Sequence, residues 1–220
     1  MSTSTMKNSQ AGSPSLSEQL RSHTSQAHED AENSAFIHDL LGGKLDKSAF
    51  IALQEQSWLF YSALENAAQR CSADPRSRTL IDRKLERRQA LERDLDALNV
   101  NPDWQAQVVP TAATAEYVKR LDEIAAAVDF PRLMAHHYVR YLGDLSGGQV
   151  IARLVNREYG IPDEALNFYN FEEIGNIKPY KDNYRAQLDA LDLQEAERAA
   201  MADEAALAFK LNQQVFAALR

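Results

Sequence analysis

Cysteine is nearly absent. The single Cys71 cannot close an internal disulfide, and without a CxxC pair there is neither a dithiol redox centre nor a cysteine-based zinc site. Such usage suits a reducing cytoplasm. Glycine and proline are scarce, eight and seven in 220 residues, which argues against a turn-rich β architecture, while the abundance of Ala and Leu argues for helices. No stretch approaches the roughly 18 apolar residues of a membrane helix, and the first residues lack the apolar run of a signal peptide. The chain is therefore expected to be cytoplasmic, with no membrane partner. Positive charge is also in deficit. With 32 acidic and 24 basic residues the net charge is −8, and non-specific nucleic-acid binding needs a basic footprint that the surface as a whole does not offer.

Residues 1–14 are mostly Ser, Thr, Asn, Gln, Gly and Pro with no apolar period, and read as a disordered tail. One domain is expected over 15–220. Ser15 with Glu18 three residues on has the form of a capping box, and Leu20, Thr24, Ala27 and Ala31 then recur at helical spacing. The pattern predicts helices over about 15–33, 45–69, 79–98, 113–128, 131–159, 178–191 and 194–219. Gly160-Ile161-Pro162 marks a helix C-terminus. The expected fold is all-α, with helices too unequal in length for a symmetrical bundle.

Three of the eight glycines fall in Tyr138-Val139-Arg140-Tyr141-Leu142-Gly143-Asp144-Leu145-Ser146-Gly147-Gly148-Gln149. The flanks on both sides keep helical periodicity, so these glycines lie inside a helix, where each costs about 1 kcal/mol relative to Ala. Gly143 and Gly147 share a face with His136 and Arg140, and that face is stripped of side chains where the glycines stand. The spacing leaves three readings. Small residues allow two helices to pack closely; Leu145-Ser146-Gly147-Gly148-Gln149 has the form of an ABC-ATPase signature; or a flat cofactor lies against the backbone, which a kink at the glycines would favour. The ATPase reading lacks a GxxxxGK[ST] loop and βα alternation.

Of the five histidines, His28 has the most suggestive surroundings. It lies beside a stripe of short side chains, Thr24, Ala27, Ala31 and Ala35, and Glu32 at i+4 is placed to hold one ring N–H. No second His or Cys stands at i+3 or i+4 to complete a zinc site, and there is no Glu-x-x-His motif. One histidine and a bare glycine face together suggest a large planar metal cofactor with a single protein ligand.

These segments resemble the haem oxygenases, specifically the soluble bacterial type. The run from His136 to Gln149 is similar to that family's signature, and Ala27-His28-x-x-Ala31-Glu32-x-x-x-Phe36 resembles the segment bearing its proximal histidine. Tyr117-Val118-Lys119-Arg120-Leu121, Lys181-x-x-Tyr184-Arg185 and Ala208-Phe209-x-Leu211-Asn212 extend the likeness. His137 departs from it, standing where a small residue is common. The resemblance implies a single-domain fold with haem b sandwiched between the first helix and the kinked glycine helix. Haem, both substrate and cofactor, would be cleaved with O2 and external electrons to biliverdin, CO and Fe2+. It makes His28 the iron ligand, with Glu32 behind it and Phe209 at the pocket. Gly143 and Gly147 form the distal surface, Asp144 with Arg140 anchors waters that deliver a proton, and Arg21, Tyr138, Lys181 and Arg185 meet the propionates.

Nothing in the sequence resembles a flavin or nicotinamide fold, so electrons are expected from a ferredoxin or an NAD(P)H-dependent flavoprotein reductase. Arg83, Lys84, Arg87 and Arg88, or Lys119 with Arg120, are candidate contacts for it. The chain is expected to act as a monomer. The competing function is a haem store, carrier or sensor without turnover, and Asp144 separates the two, since storage has no use for a carboxylate that orders water.

Overall fold

The computed structural model describes residues 14–99 and 101–220. The tail expected at 1–14 lies, except for Pro14, outside the described residues. The elements are all helical: α1 (Leu16–His23), α2 (Ser25–Glu32), α3 (Ala35–Leu41), α4 (Lys47–Arg70), α5 (Arg88–Leu98), α6 (Trp104–Gln107), α7 (Ala112–Ala127), α8 (Phe130–Tyr159), α9 (Ile177–Asp189) and α10 (Glu195–Ala218), with short 3-10 turns between them. Among the described residues there is no strand.

Three long helices organise the core. α10 lies against α7, α8, α1 and α2, while α4 packs on α5, α7 and α8. Their contacts bury Phe60, Tyr61, Tyr117, Leu121, Phe130, Leu133, Met134 and Tyr141. The Phe60 and Tyr117 rings stack at 5.1 Å between centroids, fixing α4 against α7.

Local chemistry explains most helix ends. The capping box of Ser15 and Glu18 is present at the start of α1. Asp129 caps α8 by accepting from the Arg132 N–H at 3.1 Å, and Pro131 occupies its first turn, where no backbone donor is needed. α8 ends on Gly160 in the left-handed conformation (φ 61°), as the Gly-Ile-Pro run predicts.

Two predicted helices are shorter than their patterns. The 15–33 segment divides at Thr24, whose buried hydroxyl donates to the Leu20 carbonyl at 2.8 Å while its backbone leaves the helical region (φ −102°, ψ 4°). Such back-bonding bends a helix, so α2 and its His28 leave α1 at a new angle. Ala35 belongs to α3, after the Asn33-Ser34 turn, and so does not extend the small-residue stripe of α2. The 79–98 segment becomes α-helical only at Arg88, after a 3-10 turn at Arg83–Leu85. The cause is Arg87, whose buried guanidinium donates to the carbonyls of Lys84, Leu85 and Glu86, groups that a helix would have used. Glu65 then accepts from the Arg87 and Arg88 N–H groups and caps α5.

The chain from 163 to 176 holds three short 3-10 turns. Buried Asp94 accepts from the N–H groups of Asn167 (2.7 Å) and Phe168 (2.8 Å), and Arg87 donates to the carbonyls of Phe168 and Asn170. These bonds press Phe168 and Tyr169 into the core beneath α8.

Candidate active site

α8 continues without interruption through all three glycines. A methyl group built on Gly143 or Gly147 would meet nothing within 4 Å, whereas one on Gly148 would come within 3.2 Å of Tyr169 Cδ1. Close packing through small residues therefore accounts for Gly148 alone. Gly143 and Gly147 leave a strip of bare backbone facing open space, the arrangement a flat ligand needs.

Beside this strip stands a buried polar cluster. Tyr61 of α4 donates its hydroxyl proton to Asp144 Oδ2. Arg140 donates to the Tyr61 oxygen through Nε (3.1 Å) and Nη2 (3.0 Å), to Asp144 Oδ1 (3.4 Å) and to Asn212 Oδ1 of α10 (2.7 Å). Its guanidinium also lies over the Phe60 ring, 5.1 Å from the centroid. The side chains of Arg140 and Asp144 are only 13% and 10% exposed, so this is no solvated surface pair. Burial pushes the Asp144 carboxyl above its usual range, against the pull of the Arg140 charge and the Tyr61 hydrogen bond. Burial also opposes the Arg140 charge, but Tyr61 and Asp144 outweigh it and the guanidinium stays protonated.

His28 projects from α2 at an exposed position. Its ring meets Phe209 of α10 edge-on at 5.6 Å between centroids, and Gln213 ties α2 down by donating to the Ala27 carbonyl at 3.0 Å. Glu32, expected to hold the His28 ring, has a side chain outside the described residues. Phe209 and Asn212 lie one turn apart on α10. One turn of that helix therefore backs His28 on one side and holds Arg140 on the other.

The four expected propionate partners are brought together by a crosslink between α1 and α9. Asp189 accepts from the Ser17 N–H (2.7 Å) and hydroxyl (3.0 Å). Arg21 lies one turn after Ser17 and Arg185 one turn before Asp189, which aligns the two cations. Both act on Tyr138, whose phenol burial pushes up while their charges pull it down. Lys181 reaches Ser146 on α8 at 3.0 Å, and burial followed by the Arg185 charge lowers its ammonium from the usual lysine range.

His136 does not share the open face with Gly143 and Gly147. It is fully buried, with Nε2 2.9 Å from Glu204 Oε1 and Nδ1 3.4 Å from the Tyr117 hydroxyl. Burial would raise the Glu204 carboxyl, but Arg120 and His136 hold it down to about 2. His137 pairs with Tyr184 at 2.8 Å, their rings parallel within 4°, and burial pushes its imidazole down to about 3. Two residues of the expected reductase face are committed elsewhere: Arg87 to backbone carbonyls and Arg120 to Glu204 and Glu123. Arg83, Lys84, Arg88 and Lys119 remain on the surface.

Tyr61 and Asn212 complete the cluster around Asp144, yet sequence reasoning gave neither a role there. Tyr61 occupies a core position of an amphipathic helix, and only its partner 83 residues away reveals its function. Asn212 was legible only as part of the resemblance.

An all-helical chain with an exposed histidine on α2, a bare backbone strip and a buried carboxylate beside that strip has the parts to hold a planar metal-bearing ligand and manage protons next to it. A family model described as Heme oxygenase matches residues 14–218. The heme oxygenase of Rhodella violacea is 36% identical over 202 residues, covering 91% of this chain and 85% of that protein. Heme oxygenase 1 of Gallus gallus is 35% identical over 224 residues, covering 100% and 75%. Among solved structures, heme oxygenase-1 of the cyanobacterium Synechocystis sp. PCC6803 in complex with heme aligns with a TM-score of 0.86 at 33% identity, over 93% of this chain and 91% of that one. That of Leptospira interrogans gives 0.84 at 34%, over 92% and 98%. The chain belongs to the haem oxygenase family.

Proposed function

We propose that this haem oxygenase binds one haem b between α2 and the Gly143–Gly147 strip of α8, and opens it with O2 and external electrons to biliverdin, CO and Fe2+. The observation that carries the reading is the bare strip at Gly143 and Gly147 directly beside the buried Asp144–Tyr61–Arg140 cluster. A carrier needs the first and has no use for the second.

His28 is the single protein ligand to iron. A neutral imidazole leaves the metal able to bind O2 without the strong push toward O–O cleavage that a thiolate gives. Phe209 holds the ring edge-on and limits its rotation. Arg21, Tyr138, Lys181 and Arg185 receive the propionates, and their charge-assisted hydrogen bonds decide which edge of the macrocycle faces Asp144.

Bound haem supplies the iron at which O2 is activated. Asp144 accepts from Tyr61 and Arg140 on one side, and its remaining lone pairs hold a water that delivers the proton the reaction consumes. The Arg140 charge favours the ionised carboxylate, opposing the burial that raises it. With no side chain on Gly143 or Gly147, a flat ring lies directly against the α8 backbone, which directs the chemistry to the edge of the substrate.

Electrons come from a separate ferredoxin or NAD(P)H-dependent flavoprotein, and the exposed Arg83, Lys84, Arg88 and Lys119 are the cations available to meet it. Among the described residues no helix is long and apolar enough to cross a membrane; the cytoplasmic reading rests on the single cysteine, Cys71. Titrating the purified protein with haem, then adding reductant in air, tests the whole reading. Biliverdin absorption replacing the haem bands is expected, and a stable haem complex with every reductant tried would make the protein a carrier.

A further inference from the structure

Gln54 lies on α4 two turns before Tyr61, so both side chains leave the same face of that helix. It is 1% exposed. Its Nε2 donates to the Tyr169 hydroxyl oxygen at 3.2 Å, while Oε1 has no partner. Turning the amide over exchanges the two atoms and leaves Nε2 orphaned instead, so one polar atom is unpaired in either setting. With Nε2 facing Tyr169, no group among the described residues accepts the Tyr169 hydroxyl proton. An acceptor and a donor thus stand side by side in the interior, an arrangement that is unfavourable unless a third group joins them.

Tyr169 is held in place with unusual thoroughness. Asp94 takes the N–H groups of Asn167 and Phe168, Arg87 donates to the carbonyls of Phe168 and Asn170, and Gln149 donates to the Tyr169 carbonyl at 2.7 Å. Any side chain on Gly148 would push the ring away, since even a Cβ would lie 3.2 Å from it. Gly148 is one turn beyond Asp144 on α8, and Tyr61, which binds Asp144, is two turns beyond Gln54 on α4. The Gln54–Tyr169 pair therefore adjoins the turn of α8 next to the one carrying Asp144.

We propose that Gln54 and Tyr169 hold a water that orients the water at Asp144, with Gln54 a positioning residue for proton delivery. The proposal rests on the haem-oxygenase reading. One water accepts from the Tyr169 hydroxyl and donates to Gln54 Oε1, satisfying both orphaned groups at once. Its second hydrogen is then free to point along α8 toward the water held by Asp144. The proton consumed comes from the water at Asp144; the Gln54–Tyr169 water orients it and gives up none of its own, so the buried pair needs no route to solvent.

The test uses Gln54→Met, which keeps the shape of the side chain and removes its polar atoms, together with Tyr169→Phe and the double variant. A high-resolution crystal structure of the haem-free wild type should contain an ordered water about 3 Å from both Gln54 Oε1 and Tyr169 Oη, and Gln54→Met should lack it. With haem bound, each single variant should slow single-turnover biliverdin formation about five- to tenfold, the loss of one hydrogen bond. The solvent deuterium isotope effect should rise, the double variant should be no slower than the singles, and haem affinity should stay unchanged. A wild-type rate and isotope effect in Gln54→Met, or a wild-type map without the water, overturns the proposal. Absence of biliverdin from the wild type would overturn the haem-oxygenase reading instead, while the map still decides whether the water is there.

Discussion

Tyr61 donates its hydroxyl proton to a carboxylate oxygen of Asp144, linking the middle of α4 to the glycine-bearing turns of α8. The bond favours the ionised carboxylate against a burial that opposes it. Tyr61→Phe removes the bond and keeps the ring, so the Asp144 carboxyl should rise further. The acid limb of the pH profile for biliverdin formation should then move to higher pH, with haem affinity unchanged. An unmoved limb would assign the proton to a different group.

On the proposed function Asp144 serves the proton path and is no ligand to iron, so binding and catalysis should come apart when it is changed. Asp144→Asn keeps shape and part of the hydrogen bonding. It should bind haem like the wild type and lose about 10²- to 10⁴-fold in biliverdin formation, the usual contribution of a positioned acid or base. Haem titration and product spectra on the same preparation check both halves.

His28→Ala should abolish turnover and alter the spectrum of the haem complex, and added imidazole should restore part of both. Phe209→Ala, which removes the ring packed edge-on against His28, should weaken haem affinity while leaving ligation intact. If His136→Ala or His137→Ala were to remove ligation while His28→Ala kept it, the assignment would fail. Their buried partners, Glu204 and Tyr184, already leave them little freedom to ligate.

Replacing Lys181 and Arg185 together should change the biliverdin isomer ratio or lower haem affinity. Hydrogen bonds to charged groups contribute about 1.5–3 kcal/mol each, enough to bias one orientation of the macrocycle over the other by tenfold or more. Chromatography of the product isomers reads the effect directly.

Acid stability should report His137. Burial holds its folded imidazole near 3, below the ordinary 6.5, so below pH 6.5 the unfolded chain takes up a proton that the folded chain refuses. Its neutral burial is harmless above that pH, and each unit of descent toward 3 should remove about 1.4 kcal/mol of stability. His136, lowered in the same sense by burial, adds a second such proton. His137→Gln can still bond Tyr184 but cannot titrate. Denaturant unfolding between pH 6 and 5 should show its pH slope reduced by one proton relative to the wild type.

Residues whose chemistry is local were legible in the sequence. Gly143 and Gly147 announced themselves because glycine inside a periodic helix is costly, Asp144 drew its role only from the resemblance, and Ser15 and Gly160 marked helix ends through chemistry confined to one turn. What escaped was long-range or concealed in an ordinary pattern. Thr24 fits the spacing of an unbroken helix, and its break comes from a hydroxyl turned back on Leu20. Arg87 reads as one cation in a charged helix, yet it is buried and gathers the carbonyls that would have built that helix. Nor could periodicity tell that His136 points inward, because the side of a helix that faces open space at the glycines lies under α10 and α7 two turns earlier.

α2, only eight residues long, keeps His28, Glu29 and Asp30 exposed and leans on α10 through Gln213 and Phe209. A helix this short is marginal by itself and draws its firmness from whatever it docks against. On the proposed ligation by His28, a rigid macrocycle would supply such a surface, and the substrate would complete the element that grips it. Opening the ring yields a linear, pliable product and frees the iron, and both supports are withdrawn in the same event. On that reading the chemistry loosens its own clasp.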